Sequence, residues 1–416
     1  VGESRNSKLN KISTYLIKNN SDYLFISAPE NVAWTLNIRG KDGPNTPMPN
    51  SRLIVSKTKR IYLIANKTKC KKLIDQKIIN SNQIIDIREI HKFKNGSFII
   101  DENTCSIYFE NLIKSKFKIK KKEDPIYYFK SIKNKTEIKN MIKSHVTDGV
   151  ALTKFLYWMK NINKKPITEV QAQNKLEKFR KQNRNYLYPS FDTIAGSGKN
   201  GAIIHYRARL NNCRTIKKKD IFLCDSGGQY KYGTTDVTRT ILIGKATKKM
   251  KELYTIVLKA HITLARKSFN KNTTGAELDD AARGVIKKYG YDYNHGTGHG
   301  VGSVLSVHDG ILSISPKEKK ANFQENMVFS NEPGIYIEGL YGIRIENLML
   351  VRKDKKVKNN LYFEILSHIP FERQLLDLSI LDGGELNWIN NYHSKVYNKL
   401  GPKLGESARN WLRDIT

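Results

Sequence analysis

Cysteine is scarce in this chain: four among 416 residues, at Cys70, Cys105, Cys213 and Cys224. So few and so scattered, they form neither a disulfide framework nor a paired-cysteine metal site, and they read as small buried apolar side chains. Proline (11) and glycine (27) are also sparse. Their scarcity excludes collagen-like and low-complexity chains and, with 39% hydrophobic and 10% aromatic residues, describes a folded soluble protein. No apolar run approaches the roughly 18 residues of a membrane span, so no membrane partner is expected. The start, Val1-Gly2-Glu3-Ser4, has neither an initiator Met nor a charged-then-apolar targeting pattern. It reads as the start of a trimmed or partial chain, cytoplasmic by default.

Acidic residues are outnumbered, 39 against 73 Lys and Arg, for a formal net charge of +34. Gathered into one stripe, such an excess would be the footprint of a polyanion partner. Here the lysines are spread along the chain, in Lys57-Thr58-Lys59-Arg60, Lys118 to Lys122, Lys217-Lys218-Lys219 and Lys353 to Lys356. The expectation is a solvated basic surface with no specific nucleic-acid partner.

A chain of 416 residues exceeds one ordinary core and predicts two domains with a terminal appendage. From about Asn10 to Lys130, short apolar runs alternate with polar helical stretches: Tyr23–Ser27, Arg52–Val55, Ile61–Ile64 and Ser106–Phe109 read as strands of an α/β unit. Lys118 to Pro125, basic and ending in proline, reads as a linker. A second unit opens on an amphipathic helix with Asn134 and Glu137 as a capping box and apolar residues from Ile138 to Leu156 at helical spacing. His145 lies on that apolar face and reads as a core histidine. Strands dominate from Ile203 to Glu346, broken by helices near Met250 to Phe269 and Ala276 to Tyr289. Helical spacing returns from about Arg373, with Leu386, Ile389, Tyr392, Val396 and Leu400.

Chemistry concentrates in the strand-rich stretch. Asp225 closes an apolar run and Asp236 opens the next after a glycine-containing turn, so a hairpin brings two carboxylates together. Such a pair repels unless a cation lies between. His295-Gly296-Thr297-Gly298-His299-Gly300 alternates glycine with other residues, which clears space around its histidines, and His308 follows. Glu332 precedes a Pro-Gly turn, and Arg344 and Glu346 fall on one face of a predicted strand. Four carboxylates and one imidazole suit a pair of divalent cations such as Mn, Co, Fe or Zn, and argue against a thiolate-rich structural zinc site. Gly196 to Gly201 satisfies a dinucleotide-binding pattern, but an apolar strand-like run, Ala202 to Tyr206, follows where a helix should start. That stretch reads as a glycine turn delivering His205.

In order and wording, DSGGQY, TTDVTRT, HGTGHGVG, SNEPG and IRIEN resemble the Xaa-Pro aminopeptidases (aminopeptidase P) of the pita-bread metallopeptidases, from about Ser131 to the end. The section around Ile26 to Gly40, including Val32 to Gly40, resembles the middle domain of the long, eukaryotic-type branch, and the tail, with Glu385 to Asn390 and the terminal Trp411-Leu412, resembles its C-terminal segment. That branch's first N-terminal domain has no counterpart here. The resemblance implies an α+β fold: a creatinase-like α/β domain over 1–130, a pita-bread catalytic domain over 131–372 and a helical extension over 373–416. It also implies two metal ions, manganese first with zinc or cobalt as alternatives, held by Asp225, Asp236, His299, Glu332 and Glu346. Glu332 would act as general base and then acid on a shared water. His205, His295 and His308 would hold the peptide and stabilise charge on the scissile carbonyl, and Arg344 would orient a metal-binding aspartate. The implied substrates are peptides with proline second, cleaved by a homodimer. Within the same fold, a prolidase, a methionine aminopeptidase or a metal-free binding protein are the competing readings.

Overall fold

Short apolar runs in the first part of the chain and a 26-residue amphipathic helix in the second set up two different architectures. A computed structural model describes residues 2–162 and 166–416. It divides into two compact units, Val1–Lys130 and Ser131–Thr416.

The first unit contains α1 (Arg5–Lys18), β1 (Tyr23–Ile26), α2 (Pro29–Leu36), β2 (Arg52–Ser56), β3 (Ile61–Ile64), α3 (Lys71–Asp75), β4 (Ile84–Ile85), β5 (Ser97–Ile100), α4 (Ile107–Lys114) and β6 (Lys118–Lys121). In sequence, α5 (Pro125–Ser131) runs across the division. The sheet order is β4-β3-β2-β1-β5-β6, with β1–β5, β5–β6 and β3–β4 parallel and the other pairs antiparallel. Phe25, Ile54, Phe98, Ile100 and Ile113 form its core, with Cys105 among them.

Two expectations fail in this unit. Ser106–Phe109 is the start of α4: the Ser106 hydroxyl accepts from Phe109 N, capping the helix, and Ile107 is 77% exposed, which a buried strand would not allow. The strand lies earlier, at Ser97–Ile100, where all four residues are buried. Lys118–Pro125 is likewise more than a linker, because its first four residues pair with β5 as the sheet's last strand. Lys120 Nζ donates to the carbonyls of Asn19 and Asn20 at the end of α1, and Lys121 ion-pairs with Glu102 and Glu110. Main-chain pairing and these side-chain partners override the weak strand preference of lysine.

In the second unit α6 (Lys135–Lys160) starts at the capping box read from the sequence: the Asn134 side chain accepts from the amides of Thr136 and Glu137, and the Glu137 carboxylate accepts from Asn134 N. His145 is a core residue, its Nδ1 on Met141 O at 2.7 Å, and burial pushes its pKa down. After α7 (Glu169–Lys181) come β7 (Tyr186–Pro189), β8 (Ile194–Ser197), β9 (Ile221–Ser226), β10 (Gly228–Tyr230), β11 (Gly233–Thr234) and β12 (Val237–Leu242). Then follow α8 (Lys248–Ala265), β13 (Phe269–Asn270), α9 (Gly275–Lys288), β14 (Gly298–His299), β15 (Ser313–Ile314), β16 (Val328–Asn331), β17 (Gly334–Ile337), β18 (Tyr341–Arg344), β19 (Asn347–Lys353) and β20 (Asn360–Ile365). The chain finishes with α10 (Gly383–Leu400) and α11 (Glu406–Ile415).

Two antiparallel sheets, β12-β9-β8 and β13-β20-β19-β16, carry this unit, the first preceded by α6 and α7 and the second interleaved with α8 and α9. Leu152, Phe155, Leu176, Phe222 and Ile241 seal the first helix pair onto its sheet. The architecture is α+β. On α10, Ile389, Tyr392, Val396 and Leu400 are buried at the spacing the sequence predicts. No helix among the described residues is long and apolar enough to cross a membrane.

Because the α6 cap satisfies backbone amides that would otherwise lack partners, Asn134→Ala should cost about 1 kcal/mol of stability, and Asn134→Asp much less. Denaturant unfolding measures this; an unchanged midpoint in Asn134→Ala would mean that the cap adds nothing.

Candidate metal centre

Strand register delivers the acidic residues. In the β9–β12 pair Thr238 faces Asp225 and Val237 faces Ser226, so Asp225 and Asp236, the residue just before β12, come to one end of the hairpin. His299 ends β14, and Glu332 directly follows β16. Arg344 and Glu346 do not share one strand as expected. β18 stops at Arg344, and the Glu346 amide turns to Thr238 O at 3.1 Å, so that β12 rather than strand periodicity places this glutamate. The segment Ala202 to Tyr206 is not the strand-like run expected, yet it brings His205 to the site as the glycine turn predicted. The run after Gly201 is a turn, with Tyr206 N on Ile203 O at 3.1 Å and Ile203 54% exposed. A short 3-10 segment, Gly198–Ala202, precedes it, so no α-helix follows the glycine pattern.

One cavity of about 390 Å³ is lined by Asp225, Asp236, His299, Glu332 and Glu346, together with His205, His295, His308 and Arg344. His299 Nε2 lies 3.4 Å from both Asp236 Oδ2 and Glu332 Oε1. Ligand atoms of Asp236, His299 and Glu346 all fall within 4.8 Å of one another. Thr238 Oγ1 donates to Glu346 Oε2 at 2.9 Å, and Ser330 Oγ donates to Glu332 Oε1 at 2.9 Å. Arg344 Nη2 donates to Asp225 Oδ2 at 2.7 Å.

This donor set fits divalent cations. Asp225 Oδ1, Asp236 Oδ1 and Glu346 Oε1 are buried with no hydrogen-bond partner among the described residues, a costly state for carboxylate oxygens unless a cation satisfies them. His299 Nδ1 lies 3.0 Å from Gly300 O; donating there leaves Nε2 with its lone pair facing the carboxylates. Burial first, then the charges of Asp225 and Glu332, pushes Asp236 well above the usual carboxylate range. Glu346 is raised by burial and by Asp236, Glu332 and Asp225. Glu332 is raised by burial, against the opposing pull of His299 and Arg344.

His295 and His308 are held neutral. Burial and the nearby Arg344 charge lower His295 to about 3. His299, whose ring centroid lies 4.1 Å away, together with burial, lowers His308 to about 4. Tyr336 is a site residue that sequence reasoning did not assign. Its hydroxyl accepts from Arg344 Nη1 at 2.6 Å and so donates to His295 Nε2 at 2.8 Å, while His295 Nδ1 donates to Gly296 O. A Cβ on Gly334 would come within 2.7 Å of the Tyr336 hydroxyl, and one on Gly342 within 2.8 Å of its ring, so the two glycines flanking this tyrosine leave room for it.

Residues 139–353 match the sequence model of metallopeptidase family M24. The chain belongs to metallopeptidase family M24. Residues 1–137 match the Creatinase/Prolidase N-terminal domain, and residues 359–416 the C-terminal region of peptidase M24. Among curated relatives, Xaa-Pro aminopeptidase 1 of Dictyostelium discoideum is 36% identical over 433 residues, covering 100% of this chain and 69% of its own. Aminopeptidase P2 of Arabidopsis thaliana is 35% identical over 461 residues, covering 99% and 64%. Among solved structures, the X-prolyl aminopeptidase of Caenorhabditis elegans, a cytosolic enzyme with a di-nuclear active site, superposes with a TM-score of 0.91 at 29% identity, over 100% of this chain and 71% of that one. The prolidase of Thermococcus sibiricus gives 0.73 at 26% identity, over 89% and 99%. Within M24 the chain therefore groups with the Xaa-Pro aminopeptidases, and its second unit has the pita-bread fold preceded by a creatinase-like domain.

The raised carboxylates give this M24 member a pH signature with a definite sign. A carboxyl whose folded pKa lies above its unfolded value contributes stability that is complete below the unfolded value and is lost as pH rises through the folded one. Metal-free protein therefore loses stability from Asp236, Glu332 and Glu346 as pH rises above the ordinary carboxylate range, and bound cations restore it. The gap in thermal midpoint between manganese-loaded and chelator-treated protein should be wider at pH 8 than at pH 6. Equal gaps would mean that these groups do not titrate with metal release.

Proposed function

We propose that this protein is a metal-dependent aminopeptidase that hydrolyses the bond between an N-terminal residue and a following proline. The observation that carries the reading is the convergence of three partnerless buried carboxylate oxygens with the free Nε2 of His299 in one cavity. Asp225, Asp236, His299, Glu332 and Glu346 would hold two divalent cations. Manganese is the first choice for a mostly oxygen donor set with one imidazole, with zinc or cobalt as alternatives. When bound, the pair supplies Lewis acidity and lowers the pKa of water toward about 7.

The chain's own groups do the rest. Glu332, raised by burial, takes a proton from the attacking water and hands it to the leaving proline nitrogen. His205 and His308 at the mouth hold the peptide and donate to the developing charge on the scissile oxygen, while neutral His295, its proton on Gly296 O and its Nε2 on the Tyr336 hydroxyl, presents a fixed ring against the peptide. Arg344 orients Asp225 through its 2.7 Å bond. Phe191, Ile194, Ile204 and Val307 give the cavity an apolar wall suited to a proline ring. The working division is an α/β domain over 1–130, the catalytic domain over 131–372 and the extension over 373–416. A cytosolic setting and a homodimer complete the proposal, the first supported by the cytosolic relative from C. elegans.

Metal-loaded protein should release the first residue of Arg-Pro-Pro peptides and leave Met-Ala peptides intact; the reverse preference would overturn the proline assignment. Cleavage of longer Xaa-Pro peptides alongside the dipeptide separates an aminopeptidase from a prolidase.

Glu332→Ala and Asp236→Ala should each lower kcat by more than about a thousandfold with an unchanged circular dichroism spectrum. Near-normal turnover in either would end the two-metal proposal.

A further inference from the structure

Behind the carboxylates lies a buried polar chain that reaches α10. Arg239, three residues after Asp236 on β12, is only 2% exposed. Its Nη1 donates to the Glu346 carbonyl at 2.7 Å and to Thr238 O at 2.8 Å. Its Nη2 donates to Asn347 Oδ1 and Ile369 O, both at 2.8 Å, and to the Tyr392 hydroxyl at 2.9 Å, while Nε reaches Pro370 O at 3.1 Å. Every one of these acceptors is neutral, so the guanidinium is held by dipoles, and Nη2 shares its two hydrogens among Asn347, Ile369 and Tyr392, so that the loss of one of the three shifts the direction in which the fork is held.

The chain continues to the other glutamate. Asn347 Nδ2 donates to His261 Nε2 at 3.1 Å, His261 Nδ1 donates to Asn331 O at 3.1 Å, and Asn331 Nδ2 donates to His261 O at 2.9 Å. One neutral tautomer of His261 satisfies all three bonds. Asn331 and Asn347 directly precede Glu332 and follow Glu346, so His261 and Arg239 together fix the backbone beside both. At the far end, Tyr392 on α10 donates to Ile369 O at 2.8 Å and accepts from Ile369 N at 3.1 Å. Its ring is stacked on Phe371 at 4.5 Å and on Trp388 at 5.5 Å between centroids.

We infer that Arg239 and Tyr392 are positioning residues for Glu346, and that α10 serves as a strut for the metal centre rather than as an appendage. The inference rests on the metal centre proposed above. Tyr392→Phe keeps the ring stack and removes one hydroxyl, and Arg239→Lys keeps the charge and loses the fork. Val396→Ala is the control: Val396 is fully buried on the same helix and takes no side-chain part in the polar chain.

Manganese binding to the metal-free protein, read by titration calorimetry, is the primary test, with kcat and KM on a Xaa-Pro peptide beside it. Tyr392→Phe should weaken manganese affinity about three- to tenfold and lower kcat by a similar factor with KM within about twofold, and Arg239→Lys should do more. Val396→Ala should lower the unfolding midpoint and leave manganese affinity unchanged. Wild-type affinity and kcat in Tyr392→Phe would overturn the strut, as would an equal affinity loss in Val396→Ala. If Arg239→Lys does not fold, Tyr392→Phe decides. A wild-type protein that binds two manganese ions while Tyr392→Phe is silent overturns the strut alone; one that binds none overturns the proposed function with it.

Discussion

Mutual repulsion among buried carboxylates is the constraint around which the second unit is organised. Two like charges about 4 Å apart repel by about 4 kcal/mol at an effective dielectric near 20, and this site gathers Asp225, Asp236, Glu332 and Glu346 around one cavity. No local sequence preference would assemble such a group. It is held by parts whose stability comes from elsewhere: a hairpin register fixed by a core of Phe222, Leu223 and Ile241, one arginine on Asp225, and hydroxyls on Glu332 and Glu346. The unspent electrostatic demand appears as raised carboxyl pKa values and partnerless oxygens, both of which cations would relieve.

The acidic and histidine motifs of the cavity were legible because their chemistry is local. Carboxylates beside glycine turns and histidines separated by glycines stand out in a single stretch, and the capping box of α6 and the apolar spacing of α10 are equally short-range signals. Less legible was anything decided by a distant partner. Ser106 to Phe109 has strand-like residues, yet a serine cap and an exposed Ile107 make it a helix. The Lys118 stretch looks like a linker until β5 pairs with it. Glu346 reaches its place because its amide binds Thr238, which is 108 residues away in the chain. The role of Tyr336 depends on Arg344 and His295 meeting at one hydroxyl, a fact of packing that no spacing rule contains.

Two protonation devices of opposite sign share the cavity. Asp236, Glu332 and Glu346 hold protons beyond their ordinary range, whereas His295 and His308 release theirs early, at about 3 and about 4. At neutral pH the imidazoles are therefore hydrogen-bonding dipoles and not cations. Beside Asp225 the fixed positive charge is that of Arg344.

The sheet of the first unit ends on one side in a strand of two residues, β4, and on the other in β6, whose lysines are engaged with the end of α1 and with Glu102 and Glu110. A strand from another chain finds only two residues to pair with at one rim and a row of ammonium groups at the other. Rims of this kind resist edge-to-edge aggregation. Part of the chain's large positive charge thus works against self-association through this sheet, a task that needs no anionic partner at all.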